Sequence, residues 1–156
     1  PGVGAIAPAM EKLKSLNLIT AIENTIKNDK PFLGICLGLQ LLFEKSFEGG
    51  EVKALGILRG NVKRFSSLKV PHMGWNQVAI QGQNCPLFKE IKNNSDVYFC
   101  HSYFVEPADR NIIATTTNYG VTYASAISHN NLFGVQFHPE KSQTVGLKIL
   151  ENFVTL

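Results

Sequence analysis

What the sequence does not contain narrows it first. Its three cysteines, Cys36, Cys85 and Cys100, are odd in number and form no CxxC pair, which argues against a disulfide framework and a zinc ribbon. Free thiols suit a reducing, cytoplasmic setting. Lys and Arg are scattered without a dense block and the formal net charge is only +3, so no nucleic-acid partner is expected. No membrane is expected either, because the longest apolar stretch, Pro31 to Phe43, is broken by Gly34, Gly38 and Gln40 and is too short to span a bilayer. No charged-then-apolar leader opens the chain, and no internal repeat, low-complexity tract or linker divides it. An initiating methionine is also missing. The chain begins at Pro1 in the glycine-rich "PGVG", a turn that usually follows a strand, so the expectation is a chain without its first elements.

What is present suits one globular domain over residues 1–156, with 44% hydrophobic and 17% charged residues and enough length to bury a core. Met10, Leu13 and Leu16 recur at helical spacing, as do Ile19, Ile22 and Ile26, which predicts two helices before Pro31. "PFLGIC" reads as a short buried strand and "LGLQLLFEKS" as a helix. Strand, crossover helix and strand are the grammar of a parallel α/β sheet. From residue 52 the pattern changes to short β-rich segments punctuated by Gly, Asn and Pro, from "VKALGILRGNVKRF" to "LFGVQFHPE", which predicts mostly antiparallel strands beside the parallel ones. Val145, Leu147, Leu150 and Phe153 mark a C-terminal helix.

Gly34-Ile35-Cys36-Leu37-Gly38 matches the G-x-nucleophile-x-G elbow, with cysteine where hydrolases carry serine. Such a strand-to-helix turn is sharp, and glycines on either side let backbone approach where a Cβ would clash. The nucleophile would sit at a helix N-terminus, where the dipole favours thiolate, and the Leu37 N–H would help bind an oxyanion. From the pentapeptide alone, a small buried hydrophobe is an equally good reading of Cys36. Cys85, in a loop, and Cys100, in a strand, read as structural.

A cysteine nucleophile needs a histidine base and a group to orient it. In "FGVQFHPEKS", Phe133, Val135 and Phe137 alternate as a half-buried strand that ends in His138-Pro139-Glu140. Proline fixes the backbone there, so His138 and Glu140 can point at one site beyond the carboxyl end of the sheet, where ligands of open α/β sheets bind. A turn histidine beside an exposed glutamate is the competing reading. His129 falls in a turn and reads as surface, whereas His72 and His101, in strand-like segments, read as packed or positioning residues.

"GICLGLQ" together with "GVQFHPEKS" resembles the class I glutamine amidotransferases, and "PGVGA", "KVPHMGWN" and "YFCHSY" resemble, more closely, the glutaminase subunits of imidazole glycerol phosphate synthases. The resemblance covers the whole chain and implies an α/β, flavodoxin-like fold: a central mostly parallel sheet flanked by helices, with an additional antiparallel strand region. It implies a Cys36, His138, Glu140 triad that hydrolyses L-glutamine without cofactor or metal. It implies an oxyanion site from Leu37 and the backbone near Val3 and Gly4. Gln40, His101, Ser102 and Tyr103 would line the glutamine pocket, and Glu48 would contact the substrate's amino group. Ammonia would pass to a (β/α)8-barrel cyclase subunit in a heterodimer of histidine biosynthesis, with Trp75, Tyr98 and Lys141 at the interface. A core tryptophan is the competing reading of Trp75. The family's N-terminal strand, glycine-rich turn and helix before "PGVG" are absent here, so this chain is expected to be unstable and nearly inactive by itself. Another glutaminase of the class, a cysteine peptidase or γ-glutamyl hydrolase, and a non-catalytic binding module are the rival readings.

Overall fold

The computed structural model describes residues 1–66, 68–81 and 84–156. Two helices come first, α1 (Ile6–Ser15) and α2 (Ile19–Lys27), followed by β1 (Phe32–Ile35) and the short α3 (Leu37–Leu41). Then come β2 (Lys45–Ser46), β3 (Val52–Lys53), β4 (Gly60–Arg64), β5 (His72–Ile80), β6 (Ser95–His101) and β7 (Tyr103–Pro107). The chain closes with β8 (Ile113–Asn118), β9 (Thr122–His129), β10 (Leu132–Val135) and α4 (Gln143–Val154). The strands form one mixed sheet in the order β3-β2-β4-β7-β9-β8-β5-β6, with β10 on β9 and β1 on β10.

Both early helices end where the sequence supplies a residue that tolerates the left-handed region: Asn17 at φ 54° and Asp29 at φ 53°. The N–H of Leu18 then donates to the Leu13 carbonyl and that of Lys30 to the Thr25 carbonyl, closing each helix. Asp29 has a second use. Its carboxylate accepts the Asn131 N–H at 3.3 Å and its carbonyl accepts from Asn131 Nδ2 at 2.8 Å. This clamp joins the turn before β1 to the turn before β10 and sets their parallel register, Phe32 opposite Leu132 through Ile35 opposite Val135.

Among the described strands only β1·β10 and β2·β4 pair in parallel; the other strand pairs are antiparallel. The expected mostly parallel sheet is therefore corrected to a mostly antiparallel one. Parallel neighbours need a crossover of a dozen or more residues, whereas β8 and β9, and β9 and β10, are joined by tight turns that fold each strand straight back. The helix expected over residues 37–46 is also shorter. Leu42 and Phe43 are fully buried, Glu44 accepts the Gly60 N–H through its carboxylate, and Lys45 and Ser46 pair with β3 and β4. Tertiary pairing claims those residues before the helix can extend.

Two apolar layers cover the sheet. Ala126, Phe133, Val135 and Phe137 pack with Ile149 of α4, while Ile127 and Leu132 pack with Ile6 and Met10 of α1 and Leu39 of α3. Each fully buried phenylalanine among them contributes about 1.5–3 kcal/mol. Residues 132–138 are buried without alternation, not half-buried as their pattern suggested, because helices close both faces of β10. In α4 the buried positions are Gly146, Ile149 and Asn152, while Leu147 is exposed.

Candidate active site

Cys36 occupies the turn between β1 and α3 at φ 53°, ψ −104°. A non-glycine residue held there costs about 1–3 kcal/mol, and such strain collects at functional sites. Its N–H donates to the Val135 carbonyl at 2.8 Å, which locks the turn onto β10. Two paired glycines let α3 lie close enough for this. A Cβ on Gly34 would meet the Gly38 carbonyl oxygen at 2.7 Å, and one on Gly134, its register partner, would collide with Leu39. Gly38 itself faces open space, so only one of the two elbow glycines is required sterically.

His138 follows β10 and is nearly completely buried. Its backbone is bracketed from both sides: the N–H donates to the Tyr98 carbonyl at 2.9 Å, and Ser142 Oγ donates to the His138 carbonyl at 2.7 Å. Ser142 Oγ also accepts the Tyr98 N–H at 3.0 Å. The imidazole Nδ1–H donates to Glu140 Oε1 at 2.7 Å, which leaves Nε2 with its basic lone pair. Nε2 is the one buried side-chain nitrogen or oxygen among the described residues that has no hydrogen-bond partner.

Cys36, Val3, Gly4, Leu37 and Gln40 line one cleft of about 350 Å³, with Glu48, His101, Ser102 and Tyr103 on its other walls. All eight pocket residues expected from sequence therefore line the same cleft as Cys36. Ala5, Pro71 and Cys100 line it as well. A larger cavity of about 550 Å³ opens along β4, β7 and β9, but no cysteine or histidine lines it. The candidate cysteine, Cys36, lines the smaller cleft. Among the described residues no cluster of three or more His, Cys, Asp or Glu could hold a metal ion.

Gln136 was not singled out from the sequence, although a glutamine among Phe133, Val135 and Phe137 must find polar partners if buried. It is fully buried; its Oε1 accepts from Gln40 Nε2 at 3.1 Å and its Nε2 donates to Cys36 Sγ at 3.6 Å. Gln40 Nε2 also donates to the Tyr103 carbonyl at 2.9 Å. This pair of amides fills the gap where β7 and β10 part company along the same edge of β9.

One expectation about the elbow, a thiol that favours the thiolate, is corrected. Burial pushes the Cys36 thiol up from 9.0 to about 11, against a lowering contribution from the Leu37 N–H. Helix α3 has only five residues, so its dipole is too small to offset desolvation. The Leu37 N–H is also engaged, donating to the Gly2 carbonyl in a long bond of 3.4 Å. His72 and His101 are held neutral by burial, at about 4 and about 3 respectively. His129 is exposed at the end of β9, as its turn setting suggested.

Trp75, Tyr98 and Lys141 share one surface. Trp75 is 49% exposed, its ring centroid lies 6.1 Å from that of Tyr98, and Lys141 Nζ stands 5.8 Å above the Tyr98 ring. The core reading of Trp75 does not hold.

This sheet and this cysteine elbow define an α/β domain of the glutamine amidotransferase type: the model of the family described as glutamine amidotransferase class-I matches residues 1–156. Relatives described as imidazole glycerol phosphate synthase subunit HisH are 53% identical in a Cyanothece species, over 99% of this chain and 75% of that protein. The Aquifex aeolicus relative of that description is 51% identical over 98% and 74%, and that of Methanocaldococcus jannaschii 52% over 100% and 78%. A glutamine amidotransferase structure from Thermotoga maritima superimposes with a TM-score of 0.68 at 24% identity, covering 99% of this chain and 60% of its own. The PurLQS structure from the same organism does so at 0.69 and 18%, covering 88% and 67%; these two likenesses concern the fold. The chain belongs to the class I glutamine amidotransferase family and, within it, to the HisH subunits of imidazole glycerol phosphate synthase.

Proposed function

We propose that the chain hydrolyses the side-chain amide of L-glutamine through Cys36, His138 and Glu140. The observation that carries this reading is the state of His138: buried, its Nδ1–H committed to Glu140, and its Nε2 without a partner. Leaving a buried polar atom unpaired costs about 1–3 kcal/mol, an outlay that a general base at rest explains and a structural histidine does not. Gln136, two residues earlier on the same segment, touches Cys36 Sγ.

Glutamine enters the cleft with its amide against Cys36 and its amino group towards Glu48. Cys36 Sγ adds to the amide carbon as its proton passes to His138 Nε2, and Glu140 supports the imidazolium. The Leu37 N–H and the backbone near Val3 and Gly4 receive the oxyanion, the former after giving up its long bond to Gly2. Collapse breaks the C–N bond, and the proton on His138 leaves with ammonia. Water, deprotonated by His138, then attacks the thioester, glutamate departs and the thiol is restored. The high pKa of Cys36 suits transfer of its proton within the substrate complex, where no standing thiolate is needed.

Ammonia then passes to a (β/α)8-barrel cyclase subunit bound over the Trp75, Tyr98 and Lys141 face, yielding imidazole glycerol phosphate and an aminoimidazole carboxamide ribotide in histidine biosynthesis. Glutaminase turnover of the full-length protein, with and without the cyclase and its nucleotide ligand, tests both halves. Strong stimulation is expected, with turnover lost by more than about a thousandfold in Cys36→Ser. Unchanged turnover in Cys36→Ser would overturn the triad. Hydrolysis of γ-glutamyl peptides without glutamine turnover would favour a γ-glutamyl hydrolase instead.

A further inference from the structure

At the β6–β7 switch the chain changes ladder partners, from His72 opposite His101 to Arg64 opposite Tyr103. Only Ser102 separates the two strands, and they part at once, β6 pairing with β5 and β7 with β4 and β9. This switch carries the Tyr103 carbonyl, which accepts from Gln40 Nε2 at 2.9 Å and from His101 Nδ1 at 2.7 Å. A carbonyl only accepts, so His101 carries its proton on Nδ1 and offers Nε2 as acceptor. His72 Nδ1 lies 3.1 Å from that Nε2, and His72 Nε2 lies 3.3 Å from Asn76 Nδ2. The Asn76 amide has one workable orientation, because its Oδ1 accepts the Gln77 N–H at 2.8 Å and its Nδ2 donates to the Asn118 carbonyl at 2.9 Å. A proton on His72 Nε2 would face the Asn76 N–H, so the proton sits on Nδ1. The chain of donors therefore runs one way, from Asn76 to His72 to His101 to the Tyr103 carbonyl.

Nothing in this chain is loose. Phe99 and Tyr119 stack on the His72 ring at centroid distances of 4.8 and 4.0 Å. The Tyr123 hydroxyl lies 3.3 Å from both His72 Nδ1 and His101 Nε2. Neither His72 nor Asn76 lines the cleft. Packing alone would accept phenylalanine at position 72; a directed set of three N–H donors ending on the pocket's backbone would not.

We propose that His72 and Asn76 are positioning residues for the glutamine pocket, acting through His101 to hold the Tyr103 carbonyl, and with it the Gln40 side chain, in place. The proposal rests on the reading of the cleft as a glutamine site. His72→Phe keeps the ring stack and removes the relay. In the full-length protein with the cyclase present, it should raise the glutamine KM about three- to tenfold, with kcat falling less than KM rises, as expected for loss of one positioning hydrogen bond. His72→Asn can still donate towards His101 and should recover part of that loss, while Asn76→Ala should raise KM by a smaller factor. Nitrogen-15 spectra of the imidazole rings give a readout independent of activity: both His72 and His101 should be Nδ1–H tautomers. Asn76→Asp, which accepts instead of donating, should move a proton to His72 Nε2. An unchanged KM in His72→Phe, or an Nε2–H tautomer at either ring in the unaltered protein, overturns the proposal. If His72→Phe does not fold, the Asn76 variants and the ring tautomers decide. Absence of glutaminase turnover in the unaltered protein would sink the functional reading instead, while leaving the tautomer result standing.

Discussion

At Cys36, two effects oppose each other and burial wins. The elbow supplies a backbone N–H that favours thiolate, yet desolvation lifts the thiol from 9.0 to about 11. That rise leaves roughly a hundredth of the usual thiolate at neutral pH. Iodoacetamide should therefore modify Cys36 of the ligand-free protein slowly at pH 7, with a rate that keeps climbing to about pH 11, followed by peptide mass spectrometry; modification as fast as that of a free thiol would contradict the burial account. The buried histidines act on stability in the acid range. Their folded values, about 4 for His72 and about 3 for His101, lie below the unfolded value near 6.5, so the unfolded chain binds more protons between them. Their contribution is full above pH 6.5 and is lost as pH falls towards 3. Urea midpoints measured across this window should fall with pH, and less steeply in His72→Phe. Cys36, His138 and Glu140 were legible as residue types at telling spacings. The hydrogen-bond chain from Asn76 to the Tyr103 carbonyl was not, because its members meet only where β5, β6 and β7 come together.

The elements place these groups through close backbone approaches. Gly34→Ala sets a methyl against the backbone of Gly38 and Leu39 at 2.7–2.8 Å, a clash relieved only by moving α3 off β1. We expect a loss of about 1–3 kcal/mol in urea unfolding together with a fall in activity. Gly38→Ala meets no neighbour within 4 Å, so it should leave stability unchanged or raise it by up to about 1 kcal/mol. Equal losses from the two would mean that the elbow's asymmetry is misread. Gly146 repeats the logic behind His138. A Cβ there would collide with the Pro139 carbonyl, so Gly146→Ala should shift the His138–Glu140 segment and lower kcat more than it lowers stability. Helices with clear 3.6-residue periodicity, α1 and α2, were legible in the sequence. α3 was expected too, but its end was not legible, because residues 37–43 are mostly apolar and buried and therefore carry no amphipathic signal to mark where a helix stops.

For the whole molecule, the open question concerns the face that carries Met73, Trp75, Tyr98 and Lys141. Met73 is 60% and Trp75 49% exposed on β5, a costly display of apolar surface unless a partner covers it. Trp75→Ala should weaken binding of the cyclase about 10- to 100-fold by titration calorimetry, the usual range for a central aromatic anchor. It should leave the urea midpoint nearly unchanged, since Trp75 supports little of the core. Unaltered affinity would move the interface elsewhere on the surface.

By itself the sequence determined which residues the proposed chemistry draws on: a cysteine between glycines after an apolar strand, and a histidine and a glutamate spaced by proline at the end of another. Those signals are local, set by turn geometry and side-chain type, and survive in a one-dimensional reading. Tertiary structure alone decided the order of the strands in the sheet, the raised Cys36 thiol, the engagement of Leu37 by Gly2, and the joining of Gln136 to Gln40. Each of these depends on which strands become neighbours and on how much water is excluded between them. Pairing energy and desolvation arise only between segments brought together by the fold, so no stretch of sequence carries them alone.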